Sequence, residues 1–334
     1  MLYVSTRSEA ETYTAHVALM RSYAADGGNI IPFRLPEFSF DEVRDLRNKP
    51  YNQIMADILN QFFSARLTLW DMDLCVGKSN VRTLTMSHRL MVAELWHNPV
   101  GDFSYTVDRI RNRLAPQATE STPWLKTVVW IASFFAIYGQ LLSEGVLDES
   151  TEFDIVVSGD DLLMPVAAHY ARRMGLPVNT VICSCSGESD LWDLVRRGTI
   201  GTATAESAVL SGIEGLIHAV LGAVATNSFL RVCEKRGIFH VEPLQVSAFT
   251  ESFYCTVAGE KRADSTINSL FRSNRYVIDP AAAIHYSGLQ DYRSGTGSGR
   301  MTLLMSEHTP MDYADQICNA TGIAKNRLFE YVKL

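Results

Sequence analysis

The sequence is short of charge, and of positive charge in particular. Charged residues make up 20% of the 334, the formal net charge is −7, and the isoelectric point is near 5.6. That balance excludes the extended basic surface of a nucleic-acid binder, while selecting no particular ligand. Cysteine pairs with metal-ligand spacing are absent. Cys75, Cys183, Cys185, Cys233, Cys255 and Cys318 are scattered, and Cys183-x-Cys185 is neither a zinc knuckle nor a CxxC redox pair. They read as small apolar residues in a reducing compartment, and no metal site is expected. Arg7, Glu9 and Glu11 interrupt any opening apolar stretch, so no signal peptide is expected. A long uncharged run, residues 127–143, is short for a membrane span and contains Thr127, Ser133 and Gln140. It is predicted to be a buried core helix, in a cytoplasmic protein with no membrane partner. Repeats and low-complexity tracts are also missing.

What is present reads as alternating strands and helices. Apolar residues make up 47% of the chain, enough for one large or two modest domains. A strand at Leu2-Tyr3-Val4 precedes an amphipathic helix predicted over 10–24, with Asp26-Gly27-Gly28 as its stop. Ser39, with Glu42 three residues on, is a capping-box start. A long helix is predicted over 52–63, a strand over 89–96 and a helix over 103–114. An apolar helix over 124–144 follows, then a buried strand over 153–157 ending in Ser158-Gly159-Asp160-Asp161. A helix over 163–174 stops at Gly175, and a strand covers 180–184. That succession is a βαβ unit, and hence a parallel sheet in an α/β protein. Helices are expected near 188–197, 204–224 and 263–274, a strand at 301–305 and a last helix from 310. The glycine-rich run 294–299 precedes a strand, whereas a phosphate loop follows one and opens a helix. It reads as a flexible connection.

Several segments, in order, resemble threonine synthase, a fold-type-II pyridoxal-phosphate enzyme. They are Tyr3-Val-Ser-Thr-Arg7, Asp26-Gly-Gly-Asn-Ile-Ile-Pro32 with Leu35-Pro-Glu-Phe-Ser39, and Glu94-Leu-Trp-His-Asn-Pro-Val-Gly-Asp-Phe-Ser104. Further on come Ser158-Gly-Asp-Asp161 with Ala171-Arg-Arg-Met-Gly-Leu-Pro177, and Tyr276-Val-Ile-Asp-Pro280. The resemblance implies a parallel-sheet core like the large domain of those enzymes, similar to the β subunit of tryptophan synthase. It divides the chain into a threonine-synthase-like N-terminal segment, 1–88, and a remnant core, 89–334.

The departures from that pattern carry the functional expectation. The family's Schiff-base lysine falls at Ser104, which has no amine, and the nearest lysines are Lys78 and Lys126. The family's phosphate loop, Gly-Asn-Phe-Gly-Asn, falls at Gly159-Asp160-Asp161-Leu162-Leu163, where two carboxylates repel an anion. Asp161 also suits a helix N-cap. The family's small subdomain, roughly a hundred residues, is expected to be missing near 115–123. Glu120-Ser121-Thr122-Pro123 then stands for the family's Asn-Ser-x-Asn, with Lys126 near its substrate-phosphate arginine. Ser306 falls where a hydroxyl would face the cofactor's pyridine nitrogen.

No cofactor is therefore expected. Candidate ligand-binding residues are His97, Ser121, Lys126, Ser158, Asp160 and Ser306; candidate catalytic residues are His97, Ser104, Asp160, Asp161 and Ser306. For His308 and Ser121 inherited packing is the preferred reading. His97, Asp102 and Ser104 form a superficial His/Asp/Ser set with no geometry behind it. Cys183 and Cys185 end a strand, where α/β sheets place ligands, yet they read better as a buried pair. Two functions compete. One is a non-catalytic relative that binds a small metabolite or serves as a partner subunit, in a homo- or hetero-oligomer. The other is a cofactor-independent enzyme of specialised metabolism. A retained threonine synthase activity is the third reading, and three separate departures weigh against it.

Overall fold

The computed structural model describes all residues except 79, 88, 98–101, 202–206, 209–211, 236 and 333–334. Eleven strands are named among the described residues: β1 Leu2–Ser5, β2 Tyr13–Thr14, β3 Ile30–Pro32, β4 Arg82–Ser87, β5 Leu90–Glu94, β6 Phe153–Ser158, β7 Val178–Cys185, β8 Thr199–Ile200, β9 Phe239–His240, β10 Phe253–Val257 and β11 Thr302–Ser306. The central sheet runs β10-β7-β6-β11-β5-β4. Its first five strands are parallel, and β4 is antiparallel at the edge. β2, β1 and β3 form a small antiparallel sheet, and β8 pairs with β9.

Both faces of the central sheet are covered, which is why its strands read as continuous apolar runs. Side chains alternate between two separate cores. Met91, Ala93, Phe153, Ile155, Val157, Leu303 and Met305 face one; Leu90, Val92, Val156, Ile182 and Leu304 face the other. The first core holds helices Tyr51–Phe63, Pro123–Ser143 and Leu163–Arg173, together with β1 and β3. The second holds helices Glu260–Asn274, Pro280–Thr296 and Ala314–Thr321. The α/β class and the parallel sheet expected from the sequence are what the structure has.

The apolar helix is the centrepiece of the first core. Thr122 caps its N-terminus and Pro123 opens it, and its most apolar window is 94% buried. Gly139 lets it approach helix Tyr51–Phe63, since a Cβ there would lie 2.5 Å from Ile54 Cδ1. Helix Ile213–Glu234 is also long and apolar enough to cross a membrane, but it is broken at Gly222 (φ 80°) and 44% buried.

Four resemblance segments turn out to supply polar clamps of the fold. Glu214 is fully buried. It accepts from Thr6 Oγ1 at 2.5 Å and from Arg7 Nε and Nη2 at 3.2 and 2.8 Å. Arg7 also donates to the Asp26 carbonyl, and Asp26 accepts from Ser5 Oγ and the Gly28 N–H. Ser5-Thr6-Arg7 and Asp26-Gly27-Gly28 thus tie the N-terminus to helix Ile213–Glu234. In the second core, Asp279 caps helix Pro280–Thr296 by accepting from the Ala282 N–H. It also accepts from Ser306 Oγ at 2.7 Å, while Trp96 Nε1 donates to that same hydroxyl at 3.0 Å. Tyr276 donates to buried Glu94, which pairs with Arg82 at 3.1 Å.

Some expected elements need correction. The helix predicted over 10–24 spans only Ala15–Met20, because Tyr13 pairs with Tyr3 in the small sheet and Thr14 caps what remains. Asp26-Gly27-Gly28 is consequently a turn before β3, not a helix stop. The helix predicted over 204–224 begins at Ile213 and runs to Glu234, and residues 204–206 and 209–211 lie outside the described set. Helix Pro280–Thr296, absent from the sequence reading, takes in the start of the glycine-rich run and ends at Gly297 (φ 71°).

Candidate functional site

The parallel strands deliver their C-terminal ends to one rim, where α/β sheets present turns and helix N-termini to ligands. The rim turn after β6 is closed on itself. Ser158 Oγ accepts from the N–H groups of Asp160 and Asp161, both at 3.2 Å. The Gly159 N–H donates to the Ser184 carbonyl, Leu163 N–H to Asp161 Oδ1, and Met164 N–H to the Asp161 carbonyl. Asp160 Oδ2 accepts from the Ser186 N–H at 2.9 Å. A Cβ at Gly159 would lie 2.3 Å from Cys185 Sγ, so glycine here serves packing between two strand ends. Asp161 has the capping contact expected of it, although Leu162 is the residue that flanks the helix.

Two cavities open beside this turn and share a wall made of Lys126 and Asp161. The first, about 410 Å3, is lined on its aromatic side by Tyr23, Trp124 and Tyr170 and on its acidic side by Asp160 and Asp161. The second, about 470 Å3, contains Ser104, Arg111, Ser121 and Glu307. Burial raises the Asp161 carboxyl above the usual range, against the Leu163 N–H and the Lys126 charge that favour its anion. Burial pushes Glu307 up to about 8, reinforced by repulsion from Asp161, Asp279 and Asp102. The second cavity therefore holds a carboxyl that is largely protonated at neutral pH.

The sequence candidates separate into two groups. Lys126, Asp160, Asp161, Ser104 and Ser121 line the cavities, with Ser121 donating to Asp108 at 3.0 Å. Ser158 stands behind them as the turn's internal acceptor. Ser306 is buried, its hydroxyl shared between Asp279 and Trp96. His97 has its ring 5.4 Å from that of Trp96, and residues 98–101 between it and Asp102 lie outside the described set. Asp102 Oδ1 sits 3.2 Å from His308 Nδ1. Cys183 and Cys185 are fully buried, and burial raises both thiols, Cys185 to about 12; such thiols are inert. Sequence reasoning passed over Glu307, Arg111, Tyr23 and Trp124. Glu307 sits between two residues already singled out, Ser306 and His308. Tyr23 and Trp124 reach the site through packing, which no local pattern announces.

The buried titratable groups predict how stability depends on pH. Burial pushes His169, His218 and His285 down to about 4, Arg173 adding to the effect on the first two. The unfolded chain binds these protons near pH 6.5, so the stability they contribute is present above that and lost as pH falls towards 4. Burial pushes Glu94 up to about 7 and Glu307 to about 8. Their contribution is present below the ordinary carboxyl range and lost as pH rises through 7 to 8. The midpoint of chemical denaturation is expected to peak at about pH 6 and fall on both sides. A midpoint still climbing above pH 8 contradicts these assignments.

Comparison with known proteins agrees with this architecture. The family described as "Threonine synthase N terminus" matches residues 2–80. The human and orangutan (Pongo abelii) proteins "Threonine synthase-like 1" are each 22% identical over 180 residues, 50% of this chain. The match spans 24% of the length of those relatives. Among solved structures, pyridoxal-phosphate-bound threonine synthase from Brucella melitensis superposes with a TM-score of 0.78 at 17% identity, covering 100% of this chain and 94% of that one. Yeast threonine synthase gives 0.78 at 16%, covering 98% and 91%. The N-terminal segment thus matches the threonine synthase N-terminal family in sequence, and the chain has the fold of solved threonine synthases over its whole length.

Proposed function

We propose that this protein has left pyridoxal-phosphate catalysis and binds a small, non-phosphorylated molecule in the cleft around Lys126 and Asp161. The turn after β6 carries the proposal. Its N–H groups at Gly159, Asp160, Asp161, Leu163 and Met164 are already engaged within the protein. A phosphate dianion there would meet two carboxylates in place of those donors. Ser104, at the lysine position, supplies no amine, and the Ser306 hydroxyl is already committed to Asp279 and Trp96. The residues present do not fit the cofactor. Only eight residues, 115–122, join helices Phe103–Leu114 and Pro123–Ser143, which agrees with loss of the family's small subdomain. On this reading the purified protein shows no imine absorbance after incubation with pyridoxal phosphate. A yellow species bleached by borohydride, with a modified lysine on mass mapping, overturns it.

A second reading, a cofactor-independent enzyme in the same cleft, is favoured by Glu307. A carboxyl pushed up to about 8 on the wall of a cavity is a candidate proton donor.

We place the protein in the cytoplasm and expect it to associate, with itself or with a partner subunit. At the junction 115–124 Ala115 and Trp124 are buried, and the exposed residues are Pro116, Gln117, Thr119 and Glu120, which offer no large apolar side chain. Exposed apolar side chains lie instead on helix Leu69–Val76, where Leu69, Trp70 and Leu74 are 41%, 61% and 54% exposed. Light scattering at low micromolar concentration is expected to give a mass above that of one 37.2 kDa chain. A monomer mass, with no partner recovered from lysate, removes this part of the account.

A further inference from the structure

We infer that the aromatic cavity takes an organic amine: its ammonium group at Asp160 and Asp161, its aromatic body against Tyr23, Trp124 and Tyr170. The inference rests on the preceding reading that the ligand carries no phosphate.

Charge makes the first part of the case. Among the described residues the cavity wall carries one cation, Lys126, against two carboxylates, Asp160 and Asp161. Lys126 stabilises the Asp161 anion and also belongs to the neighbouring cavity. One negative charge is therefore left without a counterion in a partly enclosed space, and a monocation matches it. The Asp160 carboxylate is fixed in direction by the Ser186 N–H on Oδ2, so it meets a ligand already oriented.

Shape and chemistry of the remaining walls make the second part. Trp124 and Tyr170 stand edge to face, with ring centroids 6.0 Å apart. Both belong to adjoining helices of the first core, which holds them rigid. Ring faces attract a cation and also pack against an aryl group. Ile30, Ile31 and Val166 add apolar wall. At about 410 Å3 the cavity falls within the size range of small-molecule sites. A carboxylate-only ligand finds two like charges there, and a purely aliphatic one leaves the acidic wall uncompensated.

Calorimetric titration of the intact protein with tryptamine and with indole-3-propionate tests this, because the two share a ring and differ in charge sign. Tryptamine is expected to bind and the acid not to bind. Asp161→Asn is expected to weaken tryptamine roughly tenfold or more, as loss of one charge-assisted partner does. Asp160→Asn, at an exposed position, serves as the second variant if the first fails to fold. Equal binding of the acid, no tryptamine binding at millimolar concentration, or binding unchanged in the folded variants overturns the inference. Those results leave the loss of pyridoxal phosphate standing. Imine formation with pyridoxal phosphate instead sinks the earlier reading, so the two failures are distinguishable.

Discussion

Replacing Arg7 with alanine is expected to cost about 3–5 kcal/mol of folding stability, a large share of what holds a protein of this size together. Glu214 has no solvent exposure, and Arg7 grips it through Nε and Nη2. Removing the guanidinium leaves a carboxylate in the core with Thr6 Oγ1 as its remaining side-chain hydrogen-bond donor among the described residues, short of what a buried charge needs. Arg7→Lys is expected to recover only part of the loss, since a single ammonium cannot reproduce two directed donors. Glu214→Gln is expected to be milder than Arg7→Ala, because it removes the charge that needs compensation. Urea denaturation of the three variants checks this order. An Arg7→Ala midpoint within error of the parent protein shows that the N-terminal clamp is ornamental.

Asp279→Ala is expected to lower stability by about 3 kcal/mol, from two losses at one carboxylate. One is the N-cap of helix Pro280–Thr296, worth about 1 kcal/mol. The other is the acceptor of the Ser306 hydroxyl, whose loss strands a buried polar group at about 1–3 kcal/mol. Asp279→Asn keeps one oxygen for the cap at the Ala282 N–H but puts an NH2 group where the Ser306 hydroxyl donates, and so is expected to lose the second contribution and keep the first. Thermal melts of the pair separate the cap from the Ser306 acceptor. Equal losses in both would mean that the cap contributes nothing measurable.

Much of the fold was legible because its signals are local. The Ser39 and Glu42 capping box forms as expected, and helix Pro123–Ser143 starts and stops within a residue of its predicted span. The β6, turn, helix and β7 succession reads correctly because apolar runs, Gly175 and the strand-end serine and aspartates are each local signals. Helix Pro280–Thr296 was missed, although Asp279 as cap and Pro280 at the first position announce it; Gly288 and the glycine-rich tail obscured the pattern. Gly288 is there for contact, since a Cβ would lie 2.3 Å from Ser184 Oγ. The helix predicted over 10–24 failed for the opposite reason. Its period is genuine, but pairing of Tyr13 with Tyr3, ten residues earlier, outweighs local propensity.

The candidate site divides along the same line. Asp160 and Asp161 were visible because a strand end names its own turn. Ser306 was singled out from its place in the resemblance, yet its hydroxyl is spent on Asp279 and Trp96, a pairing across 27 and 210 positions that no motif encodes. The cavity walls come from residues as far apart as Tyr23, Trp124 and Tyr170. Only the folded chain assembles them.

The most direct measurement is a spectral titration of Ser104→Lys with pyridoxal phosphate, followed by borohydride reduction and mass mapping. The variant restores the missing amine while leaving the turn after β6 as it is. The account predicts no imine band and no modified lysine at position 104, because the turn still offers the phosphate two carboxylates and no unengaged donor at Asp160, Asp161 or Leu163. Tight binding with an imine at position 104 would show that the phosphate site survives, and would contradict the central claim.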